Sequence, residues 1–261
     1  MLKKAGSRLF VATLCVLCLL PALLSVSSSF KSATEPLGAY VLPRDFSIHQ
    51  FESVLLRMPQ YLKWFWNSVE VSLLVSVLAI PISLAAGYGF AKFTFPFKDF
   101  LFFMYIAAML MPFQATLVPQ YITLKAMGLL DTKLSLVLPG IFSAFGVFMS
   151  AQMIKGISGE ILEAGKIDGL SSVGAFFRIV APMSKSAMSA LFILLFIDSW
   201  GMVEQPLVFL SSQDLLPLSL NLGALARGLP ACGVVAMVLP CLACAMNYGG
   251  LIEGIAAGSL K

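Results

Sequence analysis

The sequence predicts an all-α integral membrane protein with six spanning helices, and three observations carry that reading. Hydrophobic residues make up 59% of the 261-residue chain and charged residues only 11%, whereas a soluble domain carries about a quarter charged residues. With a mean hydropathy of +0.93, lipid is the expected solvent for most of the chain. The apolar residues are also gathered into stretches long enough to cross a hydrocarbon core, which takes about 20 residues. Finally, the basic residues fall between those stretches. The net charge of +4 therefore forms no patch, which argues against nucleic-acid binding.

In chain order, the expected spans are Leu9–Ser28, Val69–Phe90, Phe100–Pro119, Leu134–Ile154, Met183–Leu210 and Ala231–Leu251. The first resembles a secretory signal, because Lys3, Lys4 and Arg8 precede its apolar run. Ser27-Ser28-Ser29 is a poor cleavage site, however, and the run outlasts a signal core, so an uncleaved span is expected. The fifth is long and weakly interrupted around Asp198, Gly201 and Pro206. An inside N-terminus puts ten basic residues in the cytoplasm and seven outside, a weak bias in the direction of the positive-inside rule. The first loop, Phe30–Asn67, is the longest and could fold as a small external cap. With no repeat, low-complexity tract or linker, residues 1–261 read as one membrane domain, multi-pass, with both termini cytoplasmic.

Little in the chain suggests catalysis or metal binding. Cys15 and Cys18, like Cys241 and Cys244, have C-x-x-C spacing, which can signal redox or metal chemistry. All lie in apolar stretches without histidine or acidic ligands nearby, where cysteine serves as a small hydrophobe. His49 is the only histidine and reads as an exposed loop residue. Gly159 to Gly165-Lys166 has one residue too many for a phosphate-binding loop, and Ile167 stands where serine or threonine is needed. No nucleophile has a plausible base.

The loop at about 156–182 differs from the others. Apolar residues recur at Ile167, Leu170, Val173, Phe176, Phe177 and Val180, the spacing of an amphipathic helix. Asp168-Gly169 is a turn signal, and Ser171 or Ser172 can cap a following helix. Two short helices at an angle are expected, with Pro182 opening the fifth span. On these features alone the segment fits either the membrane interface or a partner protein.

Glu163-Ala164-Gly165-Lys166-Ile167-Asp168-Gly169, with Ile179 and Pro182 downstream, resembles the "EAA" loop of ABC-importer permeases. Gly165 departs from the pattern by replacing its second alanine of the A-A pair. Further stretches resemble the carbohydrate branch of that family: Asn67-Ser68-Val69, Ala86–Lys92, Pro119-Gln120-Tyr121, Gly128–Thr132 and Gly254–Lys261. Their order is similar to the type represented by the shorter permease of the maltose importer, over roughly residues 8–261.

The resemblance implies a coupling-helix loop that docks an ATPase subunit through Glu163, Ala164, Gly165, Asp168, Gly169 and Pro182. It also implies a C-terminal tail, Gly258 to Lys261, that reaches between two ATPase subunits. The chain would be a non-enzymatic permease in a bacterial plasma membrane and bind no cofactor itself, with ATP and Mg on the ATPase partners. Its other partners would be a second, homologous permease and an extracytoplasmic solute-binding protein, and its solute a sugar or oligosaccharide.

Polar residues inside spans are costly and mark candidate solute contacts: Asp198, Trp200, Glu204, Gln205 and, more weakly, Asn221 and Asn247. Carbohydrate permeases commonly have a Trp-Asn pair here; Trp200 matches and Gly201 replaces the asparagine. An alternative leaves Trp200 as an interface anchor and Glu204 in water. Competing readings are a permease for another solute such as glycerol phosphate, polyamine or phosphonate, a stand-alone secondary transporter, and a structural membrane subunit. A secondary transporter would be expected to show inverted repeats, of which none is clear.

Overall fold

A computed structural model describes residues 2–32, 34–36 and 40–249. The described residues are predominantly helical, and the chain divides into two compact units. One comprises Met1–Phe65 with Asn221–Leu239, the other Trp66–Leu220 with Pro240–Lys261.

In the first unit, the Leu2–Ser29 helix presents the apolar stretch Phe10–Ser29, whose described residues are uncovered up to the buried Ser29 at its end. The long first loop does fold. Phe30 stacks on Phe46 with ring centroids 4.9 Å apart and meets Phe51 at 5.1 Å. The short helix His49–Leu56 buries Gln50 and Val54. Gln50 Nε2 donates to the carbonyls of Ser28 (2.9 Å) and Lys31 (3.2 Å), while its Oε1 accepts from Ala231 N. One buried amide thus ties three chain segments, which is how buried polar groups avoid the cost of desolvation. The fully buried Tyr61 donates to the Cys232 carbonyl at 2.7 Å. All five cysteines are free, with Cys232 buried among apolar neighbours.

The second unit is organised on the Pro59–Lys92 helix, whose 34 residues extend about 51 Å at 1.5 Å per residue. Its buried positions come in pairs at every fourth residue: Asn67-Ser68, Val71-Ser72, Val75-Ser76, Ser83-Leu84 and Gly87-Tyr88. One member of each pair is small, which lets a neighbouring backbone approach closely without a hydrophobic drive between helices. A Cβ on Gly87 would lie 2.8 Å from the backbone nitrogen of Ala151, and one on Gly146 would collide with Ser83. Ser83 and Gly87 therefore interlock with Gly146 and Ser150 on the Ala144–Lys155 helix.

Three expected spans are interrupted. The Phe100–Pro119 stretch is two helices, Lys98–Met109 and Phe113–Ala126, bent by 105°. Pro112 explains the break: it lacks an N–H, its ring collides with the preceding turn, and it forces Met111 out of helical conformation. The fourth stretch pauses at Phe142-Ser143 between Leu134–Ile141 and Ala144–Lys155. In the fifth, continuous helix runs only over Lys185–Trp200, and a separate short helix follows at Glu204–Phe209.

Pro182 does not open the fifth span as expected. It sits in Ala181–Met183, beyond a π-helical turn Phe176–Val180, and the chain bends by 74° at Ser184 before Lys185. Because Pro182 cannot donate, the ladder shifts, and Ala181 N–H reaches back five residues to Phe176. Among the described residues, three helices are long and apolar enough to cross a membrane, or up to five if each bent pair is one span. Pro230–Met246 is shorter, and Leu251 lies outside the described residues.

Candidate functional site

Two features flank the Lys185–Trp200 helix: a folded loop before its start and a cavity at its end. The loop begins where Ser158 caps the helix Gly159–Ile167, accepting from Glu160 N at 3.3 Å. Gly169, with φ +86°, turns the chain, a conformation that glycine adopts without penalty. Ser171 then caps the next turn by accepting from Gly174 N at 3.1 Å. The Ser171 cap and the turn were legible in the sequence; the Ser158 cap was not read there.

The loop's inner face is apolar. Leu162, Ala175 and Val180 pack with Leu84, Tyr88, Ile154 and Ile157 into one buried cluster. Lys92 Nζ donates to the Ile157 carbonyl at 2.5 Å and Tyr88 OH to that of Ser172 at 3.3 Å. The departure at Gly165 has a physical cause. Gly165 is buried, and a Cβ there would lie 2.7 Å from Ile179 Cδ1. Glu163, Ala164, Asp168, Gly169 and Pro182 are exposed.

The apolar residues from Ile167 to Val180 divide between a buried and an exposed face. Val180 is fully buried, while Ile167, Val173 and Phe177 are 87%, 67% and 66% exposed. The turn at Asp168-Gly169 and the π-helical turn reset the helical phase, so one sequence period becomes two faces.

At the other end, a cavity of about 510 Å³ falls in the size range of small-molecule sites. Asp198, Gly201, Glu204 and Gln205 line it, together with Gln120 and Ser143 from neighbouring helices. Trp200 and Asn221 are not among its lining residues. The Trp200 ring instead stacks on Phe196, with centroids 5.8 Å apart. Asn221 belongs to the other unit, where its Nδ2 is buried without a protein partner. Gly258 and Lys261 lie outside the described residues.

Glu204 accepts from Gln114 Nε2 at 2.7 Å. The segment that follows the lining residues Asp198–Gln205 is held by side chains whose role the sequence did not disclose. Asp131, at φ 56°, accepts from Ser211 N, Ser212 N and Ser212 Oγ at 2.6–2.9 Å. The Ser212 hydroxyl, then the Ser212 and Ser211 amides, hold the Asp131 carboxyl below the ordinary carboxylate range. Asn67 Nδ2 donates to the Asp214 and Leu216 carbonyls at 2.8 and 3.0 Å, and Ser68 Oγ accepts from Leu218 N at 2.8 Å. Ser219 donates to the Met202 carbonyl. The Asn67-Ser68 and Gly128–Thr132 stretches thus anchor residues 202–219. The only sequence signal for this was their place in the family resemblance.

Comparison with known proteins fits this architecture. Residues 79–253 match the family described as the inner membrane component of binding-protein-dependent transport systems. The arabinooligosaccharides transport system permease AraQ of Bacillus subtilis is 29% identical over 226 residues, covering 85% of this chain and 80% of that protein. The lactose transport system permease LacG of Rhizobium radiobacter is 32% identical over 184 residues, 68% of this chain and 67% of that one. The sn-glycerol-3-phosphate permease UgpE of Pectobacterium atrosepticum is 30% identical over 149 residues, 57% and 53%. Among solved structures, a bacterial ABC transporter importing the acidic polysaccharide alginate superposes with a TM-score of 0.79 at 17% identity, covering all of this chain and 97% of that one. The apolar helices, the shared fold and the match over two-thirds of the sequence make the chain a multi-pass membrane protein of the binding-protein-dependent transport family, the permease components of ABC importers.

Proposed function

We propose that this chain moves a sugar or oligosaccharide into the cell as one of two permeases in an ATP-driven importer. The observation that carries the reading is the placement of an uncovered loop and a polar-lined cavity at opposite ends of one helix, Lys185–Trp200. Among the described residues none covers Ile167, Val173 or Phe177, and Glu163 and Asp168 stand exposed beside them. That mixture of apolar and acidic groups suits a cleft on an ATPase subunit. The packed inner face suits a loop that transmits force, because close-packed interiors pass strain instead of absorbing it.

In this reading the six spans are the N-terminal helix, Pro59–Lys92, the bent pair Lys98–Ala126, Leu134–Lys155, the segment through Lys185–Trp200, and the helix from Pro230. Both termini and the 156–182 loop face the cytoplasm, and the cavity faces the opposite side. Two ATPase subunits hold ATP and Mg, and their closure moves the loop and rocks the spans between inward-open and outward-open states. A solute-binding protein delivers the sugar, and the Gly258–Lys261 tail reaches the ATPase pair. The sugar assignment draws on the relatives named for arabinooligosaccharides and lactose, which cover more of the chain than those named for glycerol phosphate.

The test is Glu163→Lys. Reversing a charge that is paired across the docking interface removes about 3–5 kcal/mol when the partner charge is left buried and uncompensated. Capture of the ATPase by the purified permease, and transport, should both be lost. Normal capture by the Glu163→Lys permease rules out the docking role.

A further inference from the structure

We propose that the cavity bounded by Gln120, Ser143 and Asp198–Gln205 is a solute site on this subunit that accepts uncharged, hydroxyl-rich molecules and disfavours anions. The proposal deepens the sugar reading and rests on it. It begins with an unsatisfied acceptor. Gln120 Nε2 donates to Thr116 Oγ1 at 3.2 Å, and that hydroxyl donates to the Phe113 carbonyl at 2.7 Å. This chain of bonds fixes which way the amide points and leaves Gln120 Oε1 as the free end, buried without a protein partner. A buried acceptor without a donor is costly, and because Gln120 lines the cavity, a shift of its amide that uncovers Oε1 would let a ligand hydroxyl satisfy it.

The charges lining the cavity have one sign. Asp198 and Glu204 both line it, and among the described lining residues there is no lysine, arginine or histidine. Glu204 is held by the neutral amide of Gln114. A phosphate or uronate entering here meets two carboxylates and no neutralising cation, in surroundings where Coulomb repulsion is weakly screened.

A cationic solute matches those carboxylates but not the rest of the wall. Ser143 Oγ already accepts from Gly146 N at 3.0 Å, so its hydroxyl proton is left to donate. Gln205 and Ser199 also bring donors to the lining. Those donors need acceptors on the ligand, which an ammonium group lacks and a hydroxyl oxygen supplies. A polyol offers both donors and acceptors, and apolar wall residues such as Phe113 and Val75 suit the C–H faces of a sugar ring.

The test is direct binding to the complete assembled complex in nanodiscs, without binding protein, so that the selectivity measured belongs to the permeases. The labelled probes are lactose and arabinotriose, with a digalacturonate, sn-glycerol 3-phosphate and spermidine as competitors. A neutral saccharide should bind and be displaced about tenfold less well by the digalacturonate than by its neutral counterpart, the difference expected of one unmatched charge. Glu204→Gln, Asp198→Asn and Gln120→Leu, in complexes of unchanged subunit composition, should each weaken neutral-saccharide binding by about 3–10-fold, one hydrogen bond's worth. Glu204→Lys should narrow the gap between neutral and acidic saccharides.

Saccharide binding that is untouched by Glu204→Gln, Asp198→Asn and Gln120→Leu alike overturns the site but leaves the sugar reading standing. Equal affinity for the acidic and neutral saccharides overturns the charge selection. Binding of only the phosphate or the polyamine, or of no saccharide at all, overturns the sugar reading and this proposal with it.

Discussion

The two ends of the Lys185–Trp200 helix are built by different physics. The loop end is held by apolar packing between Leu162, Ala175 and Val180 and the Leu84–Tyr88 and Ile154–Ile157 segments. Its caps are local, from Ser158 and Ser171 to amides two and three residues on. The cavity end is held by long-range polar bonds: Asp131 to Ser211 and Ser212, Asn67 to Asp214 and Leu216, Ser68 to Leu218. A packed, locally capped element moves as one body, which suits the force-transmitting role proposed for it. Side chain–backbone bonds across long sequence separations fix the segment that follows the cavity-lining residues.

That contrast breaks most visibly if the interlock between helices is removed. Gly87→Leu drives a side chain into the backbone of Ala151, where even a Cβ meets the nitrogen at 2.8 Å. Overpacking of a close-packed contact costs about 1–3 kcal/mol, occasionally more. Thermal unfolding of the purified permease should shift downward clearly, and an unshifted transition shows that the two helices do not approach as described.

Asp131→Asn probes the other end. The amide keeps one acceptor but loses the charge that draws the Ser211 and Ser212 donors, so the segment carrying them loosens and uptake falls while ATPase capture persists. The pH dependence has a definite sign. The carboxyl is held below its ordinary range, so its stabilisation is complete above the ordinary carboxylate pKa and lost as pH falls through the depressed one. Protease nicking at residues 209–218 should therefore rise at acid pH in the unaltered protein and lose that dependence in Asp131→Asn. A persistent dependence assigns it to another group.

Trp200→Ala should cost about 0.5–1.5 kcal/mol of stability through the lost ring stack on Phe196 and shift unfolding without abolishing saccharide binding. Complete loss of binding with unchanged stability would return Trp200 to the cavity. Gly165→Ala is the mildest change. Its Cβ meets the flexible ends of Ile179 at 2.7 Å and Leu170 at 3.3 Å, both of which can yield, and helix propensity favours alanine by up to about 1 kcal/mol. Near-neutral stability with retained ATPase capture is expected, and a large loss would show that these side chains have no room to yield.

The helices, the Ser171 cap and the turn at Asp168-Gly169 were legible because each depends on neighbours within about one turn of the chain. Pro112 was equally visible, yet the Phe100–Pro119 stretch read as one span because its apolar content masked a 105° bend. Which of the apolar residues from Ile167 to Val180 are buried was not legible, because the turn and the π-helical segment interrupt the helical phase.

The sequence by itself determined that lipid surrounds most of this chain, that its elements are helices, and that one loop is amphipathic. Composition and local spacing are properties of the chain alone, and they suffice for that. Only the tertiary structure decided which apolar residues of the loop face outward, why glycine stands at position 165, and which polar residues meet at the cavity. Asp131 and Ser212 are 81 residues apart, and Asn67 and Asp214 are 147. No local period records such pairings, because they exist only once the helices between them have packed.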